Sequence, residues 1–368
     1  MKIAIIGGGI TGLCIALEAA KKGAQVTLYE RNKIMQQTSS SSTKLLHGGL
    51  RYLETLDFGL VREALIERAW WLENVPELTQ PIELHLPIFK TSTRSKVKYK
   101  LGLWLYDRLA GKKNIQNHKW LDKSLFITKN KELNPATLKG GFVFYDGQML
   151  DYELGCWVAD KARSIGVEIK EHHEVSSVDT NGTLSVINRN PAESESTGKS
   201  SSNTFDLVIN ASGSYTEQLL IDNAIKPDYK IDHIRGSHII IDRPISHGYF
   251  FEYPNEKRIF FVLPYKKQTL IGTTEEAQAL SDPIQCSSKE KDYLIHGYNH
   301  YFSDPINKND IVDHFAGLRP LIRSRKNFSK FSREYAIQLN HKLISVYGGK
   351  YTTAMSLANK LCKKYIFT

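Results

Sequence analysis

The sequence predicts an α/β fold in which a parallel-sheet unit of Rossmann-like type is interrupted by an inserted, largely antiparallel β-sheet. Three observations predict it. An apolar run at 2–6 leads straight into "GGGITG"; strand-like runs "FDLVIN", "HIIIDR", "RIFFVLPY" and "TLIGTT" recur through the middle with turns and no helices between them; and a closing strand "ISVYGG" opens into a final helix over 351–364.

At the N-terminus, Gly7, Gly9 and Gly12 fill a G-x-G-x-x-G template between the strand "KIAII" and a helix over 10–22 that Gly23 stops. "AQVTLYE" is the second strand, and Glu30 at its end follows Gly12 by 18 positions, near the ~20 expected for an acid that binds a ribose. The residue types suit a dinucleotide. Gly7 allows the tight turn, Gly9 admits a pyrophosphate against the backbone, Gly12 lets helix and strand pack closely, and the helix N-terminus offers free N–H groups with a partial positive charge. Strand, glycines, helix, strand and acid in this order favour a dinucleotide site over a purely structural turn, without separating NAD from FAD.

Further along, residues 59–74 have helical periodicity and stop before Pro76, and residues 151–165 read as another amphipathic helix, followed by Gly166 and the strand "VEIK". The run 190–203 is polar and low in complexity, a surface hairpin or disordered loop. "FDLVINASGSY" reads as a later parallel strand entering a small-residue loop. The expected division is therefore 1–81, 141–215 and 313–368 for the nucleotide unit, with 82–140 and 216–312 as the insert.

Composition narrows the function classes. With 368 residues and 41% hydrophobic content the chain can bury a sizeable core, and no segment reaches the ~18 apolar residues of a membrane span. The first ten residues fit neither a secretory leader nor an anchor. Cys14, Cys156, Cys286 and Cys362 are far apart and form no C-x-x-C pair, so reduced thiols in a cytoplasmic protein are expected, and no metal site. The net charge of +10 favours anionic partners, but no nucleic-acid-binding motif accompanies it, so nucleic acid is not an expected partner.

"TSSSSTKLLHGGLRYLE", "NASG", "RGSHIII", "FFVLPY" with "LIGTT", "AGLRPL", "SREY" and "SVYGGKYTT" occur in an order that resembles the FAD-dependent, quinone-linked glycerol-3-phosphate dehydrogenases, among the D-amino-acid-oxidase-like flavoproteins. The resemblance spans residues 3–353. It implies an FAD-binding domain of the glutathione-reductase and D-amino-acid-oxidase type with an inserted substrate (cap) domain. Ser212 stands where the family has threonine and Tyr215 where a tryptophan is expected. Family members continue into a C-terminal helical domain, whereas this sequence stops at Thr368, a short form by comparison.

By the same resemblance, Gly7, Gly9, Gly12 and Glu30 hold the adenosine diphosphate end of FAD, with Ser39 and Ser40 beside the pyrophosphate. Lys44, Leu45, His47, Gly48 and Gly49 line the flavin, Gly349 and Thr352 lie at its pyrimidine edge, and Val175, Ala211, Gly213, Gly317 and Lys350 complete the cofactor contacts. The implied reaction oxidises sn-glycerol 3-phosphate to dihydroxyacetone phosphate, passing electrons to quinone or dioxygen.

Such an oxidation needs a base for the hydroxyl proton and donors for a phosphate dianion. His47 is the first candidate base and His238 the second; taken alone, His47 also reads as a histidine that merely orients its loop. Planar guanidinium donors suit a phosphate, and Arg51, Arg319 and Arg333 hold the matching positions, with Lys350 as a point charge and Tyr52 as a hydroxyl donor. Arg319 is also counted among the catalytic candidates. Two alternatives stay open: an FAD oxidase of an amine or another hydroxy acid, and a non-catalytic basic flavoprotein that binds nucleic acid. The stretch "KYKLGLWLYDRLAGKK" mixes Trp, Tyr and Leu with lysines, as helices lying on membranes do, or as a cap-domain helix packing one face inward. Peripheral contact with the inner face of a membrane is the corresponding expectation.

Overall fold

A computed structural model describes residues 1–190, 198, 200–323 and 335–367; Arg333 and part of the polar run 190–203 lie outside them. The first apolar run forms β1 (Lys2–Ile6), the glycine turn leads into α1 (Ile10–Lys21), and the chain returns as β2 (Gln25–Tyr29), parallel to β1 with Val26 opposite Ile3. After the short β3 (Leu45–Leu46) come α2 (Phe58–Asn74), β4 (Thr79–Phe89), α3 (Lys96–Ala110), β5 (Lys119–Asp122), α4 (Lys123–Lys129) and β6 (Leu138–Met149). Ser95 and Asp122 start α3 and α4 by accepting N–H bonds from Lys98 and Leu125, which satisfies donors that a helix end leaves open.

Next are α5 (Asp151–Ser164), β7 (Glu168–Lys170), β8 (His173–Val178), β9 (Thr183–Asn188), β10 (Ser200–Thr204), β11 (Leu207–Asn210) and α6 (Thr216–Asp222). The central strands are β12 (Ile231–Ile241), β13 (Gly248–Glu252), β14 (Ile259–Tyr265), β15 (Gln268–Gly272) and β16 (Glu276–Ala277). They are followed by α7 (Ser288–Tyr301), β17 (Ile311–Ile322), β18 (Tyr335–Asn340), β19 (Leu343–Gly348) and α8 (Ala354–Leu361). The helices α6, between the first two of the expected strand runs, and α7, after the last of them, correct the expectation of strands without helices. The start of α7 is a capping box, in which the Ser287 hydroxyl accepts from Glu290 N and the Glu290 carboxylate accepts from Ser287 N.

Two large sheets take most of the strands, and β10, β9 and β8 form a third, antiparallel one in that order. The first has the order β18-β19-β11-β1-β2-β7, parallel except for β18 at one edge. The alternation of β1 splits its neighbours between two cores. Ile3 and Ile5 face α1, α5 and α8 with Leu13, Leu154 and Leu357, while Ala4 and Ile6 face the other side with Val175, Val186 and Leu220. Each such buried Leu or Ile contributes about 1.5–3 kcal/mol through apolar area removed from water.

The second sheet has ten strands in the order β16-β12-β15-β14-β13-β4-β6-β3, with β17 on β12 and β5 on β6. Here β6 is laddered to β4 from Leu138 to Met149, and β17 to β12 from Ile311 to Ile322. The expected boundaries at 141 and 313 therefore fall inside strands of this second sheet, whose continuous backbone ladders make the cut positions internal.

Candidate functional site

The β1–α1 turn builds the first half of the site. Gly7 has φ +106°, and a Cβ there would stand 2.6 Å from Ala211 O, so the chain leaving β11 passes too close for any side chain. A Cβ on Gly12 would reach within 2.0 Å of Gly7 O, which fixes the close approach of α1 to its own strand. The Glu30 carboxylate accepts from Gly8 N at 2.7 Å and Asn32 N at 2.9 Å, and Ser39 Oγ accepts from Ile10 N, the first N–H of α1, at 3.0 Å. No acidic residue occupies the first turn of α1, so no side chain within that turn offsets the positive end of the helix dipole.

Beside this turn lies a cavity of about 370 Å³ whose walls include Gly7, Gly9, Glu30, Val175, Ala211 and Gly213. Ser212 turns its hydroxyl to Asn210 Oδ1 at 2.6 Å, and the Arg31 guanidinium stacks over the Tyr215 ring at 3.8 Å. A second cavity of about 300 Å³ is walled by Leu45, His47 and Gly49 on one side and Gly317, Gly349 and Thr352 on another. Both cavities share Ile10, Thr11, Thr38, Ser39 and Gly213. The result is a two-lobed cleft pinched at the α1 N-terminus. That shape fits an elongated dinucleotide held at its diphosphate waist, and the close-packed Gly7 turn leaves room for it against bare backbone.

The second lobe is cationic. Arg51, Tyr52, Arg319 and Lys350 all line it together with His47. Arg319 Nη2 donates to Thr273 Oγ1 at 2.8 Å, and Lys350 Nζ lies over the Tyr52 ring at 3.7 Å. His47 is delivered by β3, whose Leu45 and Leu46 pair with Gln148 and Gly147 of β6.

Other expected residues lie behind the walls. Gly12 packs under the turn, and Ser40 Oγ donates to Gln37 O at 3.2 Å. Lys44 Nζ is held by Asp151 at 2.7 Å and Ser40 O at 2.7 Å, with the residue only 4% exposed, so its cation ties the loop to α5. Gly48 N donates to Tyr106 OH at 2.7 Å; that phenol donates to Asp146, which pairs with the fully buried Arg68 at 2.9 Å. Burial pushes the Tyr106 hydroxyl well above 10, with the Asp146 charge adding to it, so the phenol remains a donor. His238 is fully buried, with Nε2 3.0 Å from Thr43 Oγ1 and its ring stacked on Phe315. Burial, reinforced by the Arg319 and Lys44 charges, holds its pKa well below 6.5, so it is a neutral imidazole one layer behind the cavity.

Sequence reading missed Tyr106, Glu275, Thr273 and Arg258. Glu275 lines the second lobe, within 4.0 Å of Arg51, 3.8 Å of Arg319 and 3.7 Å of Arg258. The one available signal was the acid directly after "LIGTT", whose partners lie far away in sequence.

Comparison with known proteins agrees with this architecture. The family described as DAO, FAD dependent oxidoreductase, matches residues 2–358. The aerobic glycerol-3-phosphate dehydrogenase of Staphylococcus aureus (strain MRSA252) is 33% identical, over 98% of this chain and 66% of its own length. The D-erythritol 1-phosphate dehydrogenase of Brucella abortus (strain 2308) is 34% identical, over 97% of this chain and 72% of its own. Among solved structures, the glycerol-3-phosphate dehydrogenase from Bacillus halodurans complexed with FAD superposes with a TM-score of 0.78 at 25% identity, covering 99% of this chain and 64% of that one. The L-alpha-glycerophosphate oxidase from Mycoplasma pneumoniae, with FAD bound, shares the fold at a TM-score of 0.75 and 19% identity, covering 98% and 94%. The chain thus spans about two thirds of the length of the dehydrogenases it matches. With the family matched along nearly its whole length and a cleft shaped for the dinucleotide, this chain belongs to the DAO family of FAD-dependent oxidoreductases.

Proposed function

We propose that the chain oxidises the secondary alcohol of a phosphorylated polyol, with sn-glycerol 3-phosphate as substrate and dihydroxyacetone phosphate as product. The observation that carries this reading is the convergence of Arg51, Arg319 and Lys350 on the lobe that also holds His47. A phosphate dianion calls for several fixed cations, whereas an amine or hydroxy-acid substrate would call for one carboxylate-binding arginine. The relatives that are glycerol-3-phosphate dehydrogenases support the same assignment.

In this reading Gly7, Gly9, Glu30, Ser39, Val175, Ala211 and Gly213 hold the adenosine diphosphate end of FAD, and Leu45, Gly49, Gly317, Gly349 and Thr352 cradle the ring. When bound, FAD supplies at N5 the acceptor for the hydride that leaves the substrate carbon. The guanidiniums of Arg51 and Arg319, with the Lys350 ammonium, fix the phosphate, and His47 takes the hydroxyl proton. Tyr106, through Gly48 N, holds the loop that carries His47.

Anaerobic addition of sn-glycerol 3-phosphate to the FAD-loaded protein is expected to bleach the flavin band rapidly; a flavin that stays oxidised would overturn the reading. The D-erythritol 1-phosphate dehydrogenase among the relatives favours a second reading, a four-carbon phosphorylated polyol. The ratio of bleaching rates for the two substrates decides between them.

The electrons then pass to quinone or dioxygen. We place the quinone alternative at a membrane surface, which α3 suits. Among the described residues no helix is long and apolar enough to cross a membrane. Yet α3 buries Tyr99, Leu103 and Tyr106 on one side and exposes Val97, Leu101 and Trp104 on another.

A further inference from the structure

On the reading that places the flavin ring in the second lobe, and independently of the substrate, we propose that Thr43 is a directed hydrogen-bond donor to that ring and that His238 is a positioning residue acting through it. Thr43 lines the second lobe with Leu45 and His47, whereas Lys44 and Leu46 are buried behind the wall. Thr43 Oγ1 lies 3.0 Å from His238 Nε2, and among the described residues the hydroxyl has no other hydrogen-bond partner. His238 Nδ1 is buried and has no partner either.

Together these contacts decide which ring nitrogen carries hydrogen. Burial, with the Arg319 and Lys44 charges adding to it, keeps the imidazole neutral, so only one of its nitrogens is protonated. On Nδ1 that proton would make a buried N–H with no acceptor, an arrangement that folded proteins avoid, and a bare lone pair there is the lesser loss. The proton therefore sits on Nε2 and points at Thr43 Oγ1. Because its oxygen already accepts from His238, the Thr43 hydroxyl turns its own hydrogen away from the imidazole, toward the lobe that it lines. A group that can accept or donate thus becomes a donor in one direction.

Both residues are held in place. Ser42 N and Ser42 Oγ donate to Asp151 Oδ2 at 3.1 and 2.6 Å, Lys44 N donates to Ser42 Oγ at 3.0 Å, and Lys44 O accepts from Met149 N at 2.9 Å, so the backbone on either side of Thr43 is tied down. His238 lies on β12 between Gly272 of β15 and Phe315 of β17. A Cβ on Gly272 would stand 2.1 Å from the imidazole Cδ2, and the Phe315 ring stacks on the other ring with centroids 4.8 Å apart. A donor fixed in this way adds little ordering cost when its acceptor arrives. The flavin is the ligand that needs it. An isoalloxazine ring presents carbonyl oxygens and unprotonated ring nitrogens, and the wall beside Thr43 is the apolar Leu45, whereas an anionic substrate already meets Arg51, Arg319 and Lys350.

Two measurements on the FAD-loaded protein test this. Nitrogen-15 NMR with labelled histidine reads the tautomer, the His238 signals being those lost in His238→Gln, and is expected to show the proton on Nε2. Release of FAD on dilution, followed by its fluorescence, gives the dissociation constant, and Thr43→Val is expected to hold FAD about fivefold more weakly, the scale of one hydrogen bond, with its visible bands shifted. Thr43→Ser keeps the hydroxyl and should retain both the affinity and the bands of the wild type. A proton on Nδ1 would overturn the directed donor itself, and equal losses in the valine and serine variants would overturn it too, since the hydroxyl would then not be their cause. A proton on Nε2 with FAD affinity and bands unchanged in Thr43→Val would show instead that the hydroxyl faces no flavin, and the placement of the ring in this lobe would fall together with the proposal.

Discussion

His47 and Arg319 both line one lobe; the proposed function gives them different tasks, which single substitutions separate. His47→Asn is expected to slow flavin reduction about 10²–10⁴-fold while leaving the substrate concentration dependence nearly unchanged, since it removes a proton acceptor and no phosphate contact. Arg319→Ala is expected to raise KM about tenfold or more, as the loss of one charged hydrogen bond of ~1.5–3 kcal/mol implies. Stopped-flow reduction over a range of substrate concentrations reads both; a His47→Asn rate equal to wild type, or an unchanged KM in Arg319→Ala, removes the respective role. Lys44 shows why residue type alone misleads at this scale. A lysine in a loop beside a cleft reads as a ligand, yet its ammonium is sealed against Asp151, where removal of one partner costs about 3–5 kcal/mol for the charge left behind. Glu275 and Arg258 are the converse case: neither carries a local motif, and both acquire meaning only when residues 51, 258, 275 and 319 meet in space.

Between elements, the joint of α2 with α8 governs the loop that borders the second lobe. Trp71 Nε1 of α2 donates to Thr352 O at 3.1 Å, and the Glu67 carboxylate one turn earlier accepts Ser356 N in the first turn of α8 at 3.1 Å. Burial pushes the Glu67 carboxyl up from 4.5 to about 7, against the lowering by Ser356 N–H. Because the folded pKa lies above the unfolded one, the folded state holds an extra proton between those values, and stability falls as pH rises from 4.5 through 7. Glu67→Gln keeps the acceptor oxygen without the charge. Its melting temperature should match wild type at about pH 4 and exceed it at about pH 8, and equal differences at both pH values would show that Glu67 does not titrate in this window. At this scale much was legible: β1, α1, β2, α2 and α5 follow from local periodicity and glycine punctuation within a residue or two. The membership of β6 and β17 in the second sheet was not, because strand pairing over long separations leaves no local mark. The capping box at Ser287–Glu290 was the local signal for α7.

Across the whole molecule, the net charge of +10 and the exposed face of α3 bear on the proposed membrane contact. Val97, Leu101 and Trp104 are 75%, 63% and 51% exposed at helical spacing, and Lys96, Lys98, Lys100 and Arg108 flank them on the same helix. An apolar strip with basic neighbours is the pattern of a helix lying in a lipid interface, its rings and aliphatic chains below the head groups and its ammonium groups among the phosphates. The opposite face of α3 is no less constrained, since Tyr106 OH accepts from Gly48 N and so ties α3 to the loop that carries His47. Sedimentation with vesicles of anionic lipid should pull down the wild type at low salt, less of it at high salt as the basic residues are screened, and little of it from neutral vesicles. Leu101→Glu combined with Trp104→Glu should abolish binding to anionic vesicles while the flavin is still reduced by substrate in solution. Retention of vesicle binding in that double variant would sink the assignment of α3 as the membrane face, because the strip would then be exposed without serving as the contact, and the quinone alternative would lose its structural support.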